Sequence, residues 1–177
     1  MTSFANVASV APAPRRGWGR WLIIGWLIAA TCDICYATGF SYFYRSVPPS
    51  RILKLVASGI LGTDAYQGGA GVAALGLGLH YLNALIITSI FFALASQAPA
   101  LVRRPLLVGV LYGIVVYLVM NYVVVPLSRI GPRPTPPTAT WVTGVLVHMF
   151  LIGVPIVWAA RQAFANRGQT MGAVGSS

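Results

Sequence analysis

Six side chains lie inside long apolar runs, where polar chemistry is costly: Asp33, Tyr36, His80, Asn83, Asn121 and His148. A polar group in hydrocarbon loses free energy unless it finds a partner, so such residues are expected to face a shared interior rather than lipid. A carboxyl and an imidazole meeting there can exchange a proton, while amide and phenol groups beside them orient a solute or ion. The pattern thus suggests a proton-relay or binding cluster, with Asp33 as the acid and His80 and His148 as its proton partners. Tyr36, Asn83 and Asn121 would be orienting hydrogen-bonders, with Tyr117 one turn from Asn121. The plainer reading is interhelical hydrogen bonding that only sets helix register.

Cys32 and Cys35 form a C-x-x-C within the first apolar run, away from the strand–helix context of a thioredoxin-like motif. With His80 and His148 they supply the donor types of a metal site, and paired histidines on facing helices can hold haem. No spacing here enforces either geometry, so no metal or other cofactor is assigned. The sequence contains no HExxH, no nucleophile elbow and no phosphate-binding glycine loop. Enzymatic activity is not expected.

The elements that must position these residues are membrane spans. A bilayer core of about 30 Å needs about 20 apolar residues in a helix. Four runs qualify, at about 21–44, 71–95, 106–127 and 140–160. They are continuously apolar and lack the alternation of barrel strands, so the fold class is all-α: an integral membrane four-helix bundle. Trp18, Trp21, Tyr42, Tyr44, Trp141 and Trp158 fall near the run ends, where aromatic rings favour the headgroup zone. Counted along helices of alternating direction, Asp33 and Asn83 lie near the midplane, and His80, Asn121 and His148 a few residues outward.

Of 177 residues 57% are hydrophobic and 8% charged, against roughly 25% charged in soluble domains. The 12 basic and 2 acidic residues give a net charge of +10. No basic run marks a nucleic-acid tail, so nucleic acid is not an expected partner. Arg15, Arg16 and Arg20 precede the first run as in a signal peptide, but the run is too long to be removed as one and is read as a retained helix. With the N-terminus inside, seven basic residues fall on inner segments and five (Arg45, Arg51, Lys54, Arg129 and Arg133) on outer ones, which favours both termini in the cytoplasm.

Between the first two runs, Pro48-Pro49-Ser50 precedes a short amphipathic helix at about 50–62, with Ser50 as its N-cap and Pro49 preventing an earlier start. That helix either lies along the membrane surface or packs across the ends of the spans. Arg51 and Lys54 are candidates to touch lipid headgroups in both cases. The proline-rich connector SRIGPRPTPPTA is expected to be stiff and extended. Ala70, Ala74 and Gly78 repeat every four residues, beside Gly71 and Gly76, and are expected to pack against another backbone, in this chain or in a second copy of a homodimer. The tails, 1–17 and 164–177, are expected to be disordered around a single domain at 18–163.

Several stretches carry a likeness. These are TCDICYA around Asp33, RILKLVASGILG followed by GGAGVAALGLGLHYLNA, then RRPLLVGVLYGIVVYLVMNYVVVPLS, and VHMFLIGVPIVWAARQ. On these the chain resembles an uncharacterised family of small four-span bacterial inner-membrane proteins, and it is distantly similar in layout to the YagU-like proteins. The matching positions include Asp33, Tyr36, His80, Asn121 and His148, while the cysteine pair looks peculiar to this sequence. The resemblance implies a bacterial cytoplasmic membrane location and brings no activity with it. Three functions follow from the residues: a small proton-linked transporter or channel, a non-transporting accessory or scaffold protein, or a haem- or metal-binding redox protein.

Overall fold

The computed structural model describes residues 17–132 and 137–164, and among these no strand occurs. Four helical rods are long and apolar enough to cross a membrane, which makes this a multi-pass membrane protein. They are α1 (Trp18–Arg45), α3 (Ala70–Gln97), a third span Pro105–Leu127 and a fourth span Thr138–Phe164. The third matches its hydropathy-predicted limits to within one residue, and the others extend one to four residues beyond theirs at each end. The tails assigned to disorder fall outside the described residues, with two exceptions: Gly17 precedes α1, and Phe164 is a buried residue of the last helix.

The third and fourth spans are not continuous α-helices. The third runs as α4 (Pro105–Val119), a π turn at Met120–Val124 and α5 (Val125–Leu127). The fourth runs as α6 (Thr138–Val147), a π turn at His148–Gly153 and α7 (Val154–Phe164). Pro126 and Pro155 explain both interruptions. A proline offers no N–H and its ring crowds the carbonyl four residues earlier, which is Tyr122 in one case and Leu151 in the other, so the turn there widens.

α1 ends at Ser46, whose left-handed backbone (φ 53°) turns the chain out of the helix, with Val47 N–H bonded to the Ser41 carbonyl at 3.0 Å. α2 (Pro49–Leu61) follows. It starts at Pro49 and not after it: Pro48 holds the cap position, and Pro49 occupies the first turn, where no partner for an N–H is needed. Of the two placements open to this helix, the structure has it packed across α3. A Cβ at Gly76 of α3 would meet the Leu53 carbonyl of α2, and Ala57 and Ser58 of α2 are buried. The end of the third span clips to it, with Arg129 N–H donating to the Gly59 carbonyl at 3.0 Å.

Of the two partners expected for the small-residue stripe, the one within this chain is not found among the described residues. Ala70, Ala74 and Gly78 lie on the exposed face of α3, and a Cβ at Gly78 would meet nothing within 4 Å, whereas Ala73 and Gly76 are buried. The close backbone crossing belongs instead to Gly109-x-x-x-Gly113 of α4. A Cβ at Gly113 would run into the His148 carbonyl, one at Gly109 would lie 2.7 Å from Val154 Cα, and one at Gly153 would meet the Gly109 carbonyl. Of the proline-rich connector, residues 133–136 lie outside the described residues, and Gly131 turns with φ +73°.

The packed core fills the half of the bundle nearest both described chain ends. Phe91, Phe92 and Ala95 of α3 meet Ile156, Val157, Ala160 and Phe164 of α7 there, and Trp21 stands edge-on to Trp158 at 5.5 Å. Toward α2 this packing gives way to open space.

Candidate functional site

That space is a cavity of about 570 Å3 between α1, α2, α3 and the third and fourth spans. Asp33, Tyr36, His80, Asn83, Asn121 and His148 all line it, among mainly aliphatic walls that include Ile34, Leu55, Ile87, Val116 and Ile152. Ile52, Leu55, Val56, Gly59 and Ile60 of α2 form part of the lining, so the short helix covers the cavity. A neighbouring vestibule of about 760 Å3 shares Tyr36, Asn121 and His148 with it and adds Arg45, Tyr117, Tyr122 and Pro137. Volumes of about 300–1,000 Å3 with apolar walls and a few converging polar groups are typical of small-molecule sites.

Five of these six polar groups are held by a specific bond. His80 Nε2 donates to the Ala30 carbonyl of α1 at 2.8 Å, and His148 Nδ1 donates to the Gly144 carbonyl at 2.9 Å. A carbonyl can only accept, so these nitrogens carry the hydrogens, and in each neutral ring the other nitrogen is the free acceptor. Both bonds survive protonation, so either ring can take up a proton without losing its anchor. His148 also packs edge-on against Tyr117, with ring centroids 5.2 Å apart. Asn83 Nδ2 reaches Met120 Sδ at 3.2 Å, the one amide contact here between α3 and the third span, while Asn121 Nδ2 donates to its own helix at the Tyr117 carbonyl, 2.9 Å away.

Tyr36 O–H donates to Thr143 Oγ1 at 2.6 Å, and that hydroxyl passes its own hydrogen to the Ala139 carbonyl at 2.7 Å. The pair ties α1 to α6 across the vestibule. Tyr36→Phe removes the hydroxyl and keeps the ring's stack on Phe40, 5.4 Å away. A loss of about 0.5–1.5 kcal/mol follows, to be read as a lowered melting temperature in detergent. An unchanged melting temperature would show that the bond does not hold the two helices together.

Asp33 differs from the others. It is half-buried, lines the cavity, and has no hydrogen bond or ion pair among the described residues. Compared with known protein families, curated proteins and solved structures, the chain matches none. The site must therefore be read from its own geometry.

No group of three or more His, Cys, Asp or Glu among the described residues converges closely enough to hold a metal ion. Cys32 is half-buried and Cys35 exposed, both as free thiols. Arg51 is exposed with its guanidinium 4.9 Å from the centre of the Tyr66 ring, and Lys54 is half-buried, so the two proposed headgroup contacts are unequally accessible. Neither lines the cavity.

The sequence reading did not find the π turns that carry Asn121 and His148 into the cavity wall, although Pro126 and Pro155 were the available signal. Nor did it find Met120 as the partner of Asn83 or Arg45 at the vestibule, since neither relation follows any helical spacing.

Proposed function

We propose that this protein is a small proton-linked transporter or channel of a bacterial cytoplasmic membrane, both termini inside, and not an enzyme. The observation that carries this reading is the unpartnered Asp33 carboxyl in a cavity that also presents two anchored imidazoles. Asp33 exchanges the proton, His80 and His148 accept it on their free nitrogens, and Tyr36, Asn83 and Asn121 orient the solute. α2 and the vestibule give the cavity a side that can open, while the packed half of the bundle seals the other. Membrane lipid is the surrounding partner, and a homodimer through the exposed Ala70, Ala74 and Gly78 face of α3 remains part of the proposal.

The test uses proteoliposomes loaded with a pH-sensitive dye and exposed to a pH step, with and without a panel of amine, carboxylate and sugar solutes. At least one solute is expected to accelerate proton movement above protein-free vesicles, and Asp33→Asn is expected to return it to the protein-free rate. If no solute changes the rate, or if folded Asp33→Asn behaves as the parent, the reading is wrong.

A scaffold role is the second reading, favoured by one fact: Tyr36, His80, Asn83, Asn121 and His148 are each already bonded to a protein group. It leaves Asp33 and the space beside it without a purpose.

A further inference from the structure

The charge and shape of the cavity point to the class of molecule it takes. We infer that it binds an amphipathic organic monocation, with Asp33 as the counter-charge; this rests on the reading of the cavity as a solute site.

Among the described residues Asp33 is the one acidic residue lining the space, and no lysine or arginine lines it. The chain's other acid, Asp64, is exposed in the turn after α2. A carboxylate facing apolar walls with no protein partner is completed best by a cation that brings its own apolar surface, since both charge and hydrocarbon are then matched. An anion would find an opposing charge, and a strongly hydrated polar solute would find mostly aliphatic walls.

The side open to lipid agrees. Leu82 and Ile86 of α3 line the cavity, yet are 52% and 50% exposed. The cavity wall is thus left uncovered by neighbouring helices on this side. A cation entering here avoids Arg45, which lines the vestibule and not the cavity.

A proton competes with the cation for the Asp33 carboxylate. Where the carboxyl carries a proton, cation binding releases it to water by way of the His80 or His148 ring, and a proton returns as the cation leaves. The other titratable groups lining the cavity, among the described residues, are Tyr36 from α1, His80 from α3 and His148 from the fourth span; α2 and the third span contribute none. Protonated imidazoles oppose the cation, so acidification weakens binding through these groups in the same direction as through the carboxyl.

Radiolabelled tetraphenylphosphonium and its anionic isostere tetraphenylborate provide the test, with purified protein in micelles and empty micelles as blank. The wild type is expected to retain the phosphonium in preference to the borate, less so at acid pH. Asp33→Glu keeps binding, and Asp33→Asn weakens it roughly 10- to 100-fold. Retention of the borate equal to or above that of the phosphonium overturns the inference, as does undiminished retention by an Asp33→Asn protein that elutes and melts like its parent. Should Asp33→Asn aggregate, the phosphonium–borate comparison on wild type alone decides. Phosphonium retention without any solute-coupled proton flux upholds this inference and defeats the transport reading. Coupled flux of a neutral or anionic solute without phosphonium retention does the reverse.

Discussion

Gly113→Val should leave little monodisperse protein. At Gly113 the backbone of α4 lies directly against the π turn of the fourth span, where an added Cβ would meet the carbonyl of His148 and the Cα of Met149. These are main-chain atoms, so no rotamer change relieves the overlap, and the two spans must separate along the whole Gly109, Gly113 and Gly153 crossing. Overpacking of this kind costs about 1–3 kcal/mol where side chains can yield, and more where they cannot. In lipid, hydrophobicity does not draw helices together, so lost close packing has no substitute. Gel filtration and a thermal melt in detergent measure the effect. Gly39→Val, on α1 with nothing within 4 Å of its Cβ, is the control and should elute and melt as the parent does. Parent-like behaviour of Gly113→Val would show that the spans do not meet there.

The second large effect concerns the cover of the cavity. Gly76→Val places a branched side chain against the Leu53 carbonyl and Ala57 amide of α2, which should lift α2 off α3 while the spans themselves stay assembled. Ala57 is wholly buried in the parent. With Cys32 and Cys35 replaced by serine, a cysteine at Ala57 should be nearly inert to a maleimide. Adding Gly76→Val should raise its labelling rate by at least about tenfold, because a site that opens only through a local fluctuation becomes open most of the time. Equal rates with and without Gly76→Val would mean that α2 is held by other contacts.

Hydropathy located the spans because the cost of burying backbone and charge in lipid acts on length and composition alone, and Trp21 to Tyr44 meets both conditions whatever its neighbours are. That Asp33, His80, Asn83, Asn121 and His148 could line one space was legible for the same reason, since rise per residue converts directly to height, and all five line the cavity. Rotation about the helix axis was not. Small residues occur on several faces of α3, so spacing alone did not separate Ala73 and Gly76, which pack, from Ala70, Ala74 and Gly78, which do not. On the third span the Gly109–Gly113 pair was equally visible as a spacing, but its partner is the main chain of a segment more than thirty residues away. The end of the first loop shows a smaller failure of the same kind. Pro49 marks a barrier to helix in mid-segment, yet its fixed φ equally suits the first turn, where it stands.

The widened turns at 120–124 and 148–153 have a consequence for how such chains tolerate length changes. A π turn holds one residue more than an α turn, and each residue of an α-helix advances the azimuth by about 100°. Removing a single amino acid from either segment would restore a regular spiral and leave the stretches on both sides near their present azimuth, because the widened turn already absorbs the extra residue, while shifting Asn121 or His148 within the cavity wall. Single-residue gaps are therefore expected to cluster at these two places among the closest evolutionary cousins of this chain. Where one occurs, crossing of the bilayer would persist while the solute preference changed.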